Sequence, residues 1–257
     1  MSTTQIDAVV IDLDRVVDAA RRRRDRLGWF AAMYGQVTRA VGAQVAAGHF
    51  DDAERMNRFV AAFAGRYLRP LEAHLAGRPV PRSWRVAFEA ARRRDTIALQ
   101  HLLLGINAHV NLDLAVVAAE IGQGGGVDTL HDDFMRVNAT LAALMPKVRA
   151  CIGRFSPLLD VVDRVGGGDD DEVLHFSIRV ARDEAWRAAR LLAATGDPAE
   201  RERMVDSLDR RVAVLGKLVA SPGGLLQRAV DLVAFTESDD VVAILDALRT
   251  VELDGPT

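Results

Sequence analysis

The residues in this chain best suited to chemistry lie in one unusual stretch. Leu102–Leu114 reads LLLGINAHVNLDL, placing Asn107, His109, Asn111 and Asp113 among leucines, with His101 one residue before it. An imidazole and a carboxylate four residues apart fall on one face of a helix. Such a pair can ligate a metal, and zinc, iron or manganese suit those ligands. A bound water of lowered pKa would then attack a substrate such as a phosphoester. The same groups can line a metal-free pocket of a non-catalytic bundle that binds a small-molecule ligand or a partner. They can also close a buried hydrogen-bond network, in which Asp113 accepts from His109 or Arg179 and the asparagine amides tie loops to the core. Buried polar groups without partners cost roughly 1–3 kcal/mol each, so the fold must supply partners or hold a ligand.

On an α-helical wheel His109 and Asp113 share a face, and His101 lies to one side of it. Glu120 falls between His109 and Asp113 in angle, while Asn107 and Asn111 form a second pair on the other side. His131 and Asn138 share a face with Phe134 and Met135, which can turn His131 inward. His175, Arg179, Arg182, Asp183 and Trp186 cluster on one side of a later helix, where Arg179 and Asp183 can pair. The candidate pocket is therefore His101, Asn107, His109, Asn111, Asp113, His131, Asn138, Arg179 and Asp183, with His109 and Asp113 as the metal ligands if a metal binds. Tyr34 and Tyr67 could lend hydroxyls to it, although core packing explains them more simply.

These residues need helices to position them. Ala, Leu, Arg and Glu dominate, and alternating β-branched patterns are scarce, so the expected fold is all-α. The first helices run from about Gln5 to Arg24 and from about Asp25 to Ala47. Asp51 is placed to cap a third, ending near Ala76, and Ser83 a short fourth through Arg93. The central helix spans about Thr96 to Ile121 and is closed by GQGGGVD. Asp128 opens the next, to about Phe155, and Ser156-Pro157 begins another. Asp197-Pro198 starts a long helix to about Ser221, and the last helix starts near Ser238. This makes a single domain over residues 1–257, a bundle of roughly nine to eleven helices around the central one. Gly166–Asp171, GGGDDD, is the place where a subdomain boundary could fall.

Composition excludes several classes. The net charge is −3, too small for a broad basic field that would attract nucleic acid. Arg21–Arg24 reads as a solvated helix end favoured by the dipole. Cys151 is the one cysteine, so an intramolecular disulfide and a thiolate cluster are impossible. The N-terminal MSTTQIDAVVIDLD lacks a basic region and meets Asp7 and Asp12 early, unlike a secretory signal. The most apolar stretch carries its own Asn, His and Asp, which argues against membrane insertion. A reducing cytoplasm is the expected compartment. The glycine cluster GQGGG lacks the strand and the Lys-Ser/Thr of a phosphate-binding loop. Oligomeric state is left open.

Several segments together resemble one family: DRLGWFAAMYGQVT (Asp25–Thr38), FDDAERM (Phe50–Met56), FAGRYL (Phe63–Leu68), SWRVAF (Ser83–Phe88), LQHLLLGINAHVNLDL (Leu99–Leu114) and FMRVNATL (Phe134–Leu141). The chain is similar in these to the helical bacterial family catalogued as domain of unknown function five-nine-nine-five. That resemblance covers most of the first 140 residues and continues more weakly through ARDEAW (Ala181–Trp186). It implies a helical fold and lends no activity, substrate or catalytic residue. The His-x-x-x-Asp pair alone is also similar to a zinc-ligand pair of zinc-dependent phospholipase C and the S1-type nucleases. Those helical enzymes use further His and carboxylate ligands in similar pairs, and no other His-x-x-x-Asp or His-x-x-x-Glu occurs here.

Overall fold

Thr4 opens the first helix with a reciprocal cap. Its hydroxyl accepts from the Asp7 amide at 3.1 Å, and the Asp7 carboxylate accepts from the Thr4 amide at 2.9 Å. The computed structural model describes residues 4–122, 126–166 and 183–251, and every regular element among them is helical. Helix α1 (Gln5–Arg23) ends at Arg24, in the left-handed region with φ 52°. The expected arginine run sits at that end. Arg21 pairs with Asp246 at 2.9 Å and Arg24 with Asp240 at 3.3 Å, all four side chains substantially exposed.

Helix α2 (Gly28–Ala46) is buried almost all round, because α1 covers one side and the central helix another. Helix α3 (Ala53–Leu75) is capped by Asp52, one residue later than expected. The Asp51 amide instead donates to the Asp133 carboxylate at 3.1 Å. Helix α4 (Arg82–Ala90) is not capped by Ser83. The carboxylate of Asp209, far along the chain, accepts from the amides of Arg82 (2.8 Å) and Ser83 (2.9 Å) and from the Ser83 hydroxyl (2.7 Å). A remote carboxylate thus does the work that local sequence assigned to Ser83.

The centre of the bundle is one continuous rod of 24 residues, Ala98–Ile121. It comprises α5 (Ala98–Ala108), a π-helical turn (His109–Asp113) and α6 (Leu114–Ile121). Its first amide, Ala98 N–H, donates to Glu237 at 2.9 Å. By length and mean hydropathy, 1.6, this rod could cross a membrane, so the apolar stretch is longer than its polar interruptions suggested. Yet 89% of that apolar window is buried inside the protein, as for a core helix. Helices α2, α3 and α4 surround it together with α7 (His131–Gly153), reached through a 3₁₀ turn at Val127–Leu130, and α10 (Pro198–Ala220). Asp197 caps α10 by accepting from Ala199 N–H at 3.0 Å, with Pro198 in the first turn as its type requires.

Helix α8 (Leu159–Gly166), a helical stretch α9 over 183–194, α11 (Gly224–Thr236) and α12 (Val241–Arg249) complete the described fold. Asp240 caps α12, close to the expected start near Ser238, accepting from the Val242 and Ala243 amides at 3.2 Å. One hydrophobic core runs from Ile6 to Val251, and a smaller cluster of Leu112, Val116, Leu192 and Val212 joins the rod to α9 and α10. His175, Arg179, Arg182, residues 167–171 of GGGDDD and residues 123–125 of the glycine cluster lie outside the described residues.

Candidate functional site

The π turn sits where the rod carries its polar groups. Its signature bond runs from Leu114 N–H to the His109 carbonyl, five residues back. One extra residue in a turn also rotates everything after it by about 100° relative to a regular α-helix. Glu120, placed beside His109 by the wheel, is consequently exposed at the end of α6.

His109 and Asp113 remain together across the turn. His109 Nδ1 lies 3.0 Å from Asp113 Oδ2, and the two side chains are 4% and 1% exposed. Trp84 of α4 donates its indole N–H to the same Oδ2 at 2.9 Å. Arg66 of α3 approaches the other oxygen, Nε to Oδ1 at 3.5 Å. The carboxylate is thus surrounded by an imidazole, an indole and a guanidinium, which compensates its removal from water. Burial pushes the His109 pKa down, only partly offset by the Asp113 bond and charge, and the imidazole is neutral. A neutral imidazole bonded to a carboxylate through Nδ1 carries its proton there. Nε2 therefore has a free lone pair, and it is buried without a hydrogen-bond partner among the described residues.

Aromatic rings fix the imidazole's orientation. Phe63 stacks on it at 3.6 Å between centroids and 8° between planes, and Tyr34 meets it edge-on at 4.6 Å. Phe30 and Trp84 stand at 5.8 and 5.9 Å. Gly105 makes room for Phe30, because a Cβ there would lie 2.2 Å from the ring. His109 lines a cavity of about 30 Å³ between α2, α3, the rod and α7, together with Tyr34, Phe63, Val137, Asn138 and Leu141. The wall that faces the cavity is apolar. Tyr34 Oη and Asn138 Nδ2 are, like His109 Nε2, buried without partners. Burial and the nearby Asp113 charge push the Tyr34 pKa up, so the phenol keeps its proton.

The other expected site residues are distributed differently. His101 is buried on a second cavity, of about 20 Å³, with Tyr67 and Trp84, and meets Trp29 edge-on at 5.2 Å. Burial pushes its pKa down to about 3. Asn107 donates to the Val212 carbonyl of α10 at 3.0 Å and accepts from Asn111 at 2.9 Å, so this pair ties the rod to α10. His131 points outward, half exposed, pairing with Asp132 at 3.2 Å and packing on Trp186. Asp183 is exposed, and Arg179, its expected partner, lies outside the described residues. Cys151 is buried, which raises its thiol pKa.

His109 and Asp113 bind one another rather than converging on a common point. Among the described residues no group of three or more His, Cys, Asp or Glu side chains could hold a metal ion. Arg66, Trp84 and Phe63 were not assigned to the site by sequence. The available signal was Arg66 in FAGRYL, a cation at helical spacing from the buried Phe59 and Phe63.

The model for the family of unknown function DUF5995 matches residues 6–222. The chain belongs to DUF5995. The DUF5995 match contains every residue around His109 and runs from the second residue of α1 through α10, while α11, α12 and the Glu237 cap lie beyond it. No curated protein and no solved structure matches the chain.

Proposed function

We propose that the chain binds a small molecule in the cavity beside His109, with no metal taking part. The observation that carries this reading is the set of three partnerless polar atoms, His109 Nε2, Tyr34 Oη and Asn138 Nδ2, on side chains lining one apolar cavity. Buried donors and acceptors in native proteins are nearly always satisfied, and of the eleven unpartnered buried side-chain atoms among the described residues three belong to side chains lining this one cavity. An apolar hollow with a few polar groups just behind its wall can take a small ligand once those groups turn toward it. A π turn at the same residues supports the reading, since such turns recur at functional sites.

The chemistry of the three atoms narrows the ligand. Nε2 accepts, Asn138 Nδ2 donates, and the protonated Tyr34 hydroxyl can do either. The matching group is a hydroxyl or primary amide on a small apolar body. A volume of about 30 Å³ exceeds the room one water needs, but a phenol-sized guest requires α7 to shift away from α2. Differential scanning fluorimetry and calorimetric titration with phenol and acetamide test this. Saturable binding with a raised Tm, lost in Asn138→Leu and in Tyr34→Phe/Asn138→Leu, is the expected outcome. Absence of saturable binding by either probe would refute it.

A further inference from the structure

The geometry points to a second ligand site, for a small hydroxyl-bearing phosphate monoester, in the groove between α4 and α10. The groove has a volume of about 490 Å³ and lies along the face of α4 opposite the buried Trp84 and Phe88. Arg82, Arg85 and Glu89 of α4 line one wall, and Arg210 and Lys217 of α10 line the other. Its floor includes Val86 and Ala213, with the exposed Val214 beside them.

The charges in this groove are not all spent on each other. Arg82 is bonded to Asp206 and lies 3.6 Å from Asp209, and Arg210 stands 3.5 Å from Asp206. Those four groups hold each other in place and frame the groove. Arg85, Lys217 and Glu89 make no ion pair among the described residues, although they face the same space. Two free cations on opposite walls suit a dianionic phosphate, since a guanidinium binds it as a fork and an ammonium as a point charge. Glu89, on the same helix face one turn beyond Arg85, suits hydroxyl donors on the ester's organic part. The short apolar floor fits a small carbon skeleton better than a long polyanion. With two carboxylates already neutralising Arg82 and Arg210, the field is local, in keeping with the chain's net charge of −3.

Isothermal titration at low ionic strength, with glycerol 3-phosphate as probe and glycerol as the neutral control, tests the assignment. Glycerol 3-phosphate should bind saturably and glycerol should not. The double variant Arg85→Gln/Lys217→Gln should weaken binding by about tenfold or more, as should raised salt. Both residues are solvent-exposed, so its Tm should match that of wild type. Arg15→Gln, on an exposed side chain of α1, should leave the affinity unchanged. No saturable heat with wild type, or unchanged affinity in the double variant, would overturn the proposal. None of the residues lining the His109 cavity belongs to α4 or α10, so neither result depends on it.

Discussion

At the scale of single residues, the decisive arrangement is the environment of Asp113. A buried carboxylate survives only when its oxygens are compensated, and here His109, Trp84 and Arg66 do so. Sequence exposed the problem, because Asp113 among leucines demands partners. It could not name them. Arg179 was the arginine closest to hand on a polar helix face, whereas Arg66 and Trp84 belong to helices whose approach depends on tertiary packing. Trp84 donates through a single N–H, so Trp84→Phe removes the bond while keeping an aromatic ring, with some loss of buried volume. That substitution should cost about 1–3 kcal/mol of unfolding free energy, read from urea denaturation. A loss below about 0.5 kcal/mol would mean that the indole is not compensating the carboxylate.

At the scale of elements, the central rod is regular except at the π turn. The α-helical wheel placed His109 and Asp113 on one face correctly, because they lie within one turn. It misplaced Glu120, because the inserted residue changes the phase of everything after Asp113. Helix existence was legible from apolar spacing, as in α1, whose Val9, Leu13 and Val17 are buried as their spacing implies. Caps were legible where they are local, as at Asp197, and not where a distant chain supplies them, as Asp209 does for α4 and Glu237 for α5. The rod also depends on close approach. Gly105 lies against Phe30, which touches Tyr34, Tyr67, Trp84 and His109. Gly105→Ala should therefore displace the Phe30 ring and destabilise the protein by about 1–3 kcal/mol, despite alanine's better helix propensity. A variant of equal or higher Tm in thermal denaturation would show that the ring moves without cost.

At the scale of the whole molecule, the fold keeps several histidines neutral. Burial lowers the pKa of His101, to about 3, and also that of His109 and the less buried His74. In the unfolded chain these groups titrate near the ordinary value of 6.5. Below that pH the unfolded state binds protons that the folded state refuses, so stability falls as pH drops. His101 and His109 can each contribute a slope of up to about 1.4 kcal/mol per pH unit in this window. Glu237 acts in the opposite sense. Burial raises its pKa, so acidification relieves a penalty as it protonates. Two deeply buried histidines outweigh one carboxyl, and urea midpoints should fall steadily between about pH 6.5 and pH 5. His101→Gln should flatten that slope. Midpoints independent of pH over the same range would show that the histidines are not held neutral.

The reading of the His109 cavity rests on the state of one imidazole and on its response to a guest. Long-range ¹H–¹⁵N spectra of the histidines report both, with His109→Gln supplying the assignment. At about pH 7, His109 should appear as a neutral ring protonated on Nδ1, and phenol or acetamide should shift its Nε2 resonance saturably. A His109 ring charged at that pH, or a Nε2 resonance indifferent to both probes at saturation of the protein, would contradict a ligand site beside His109.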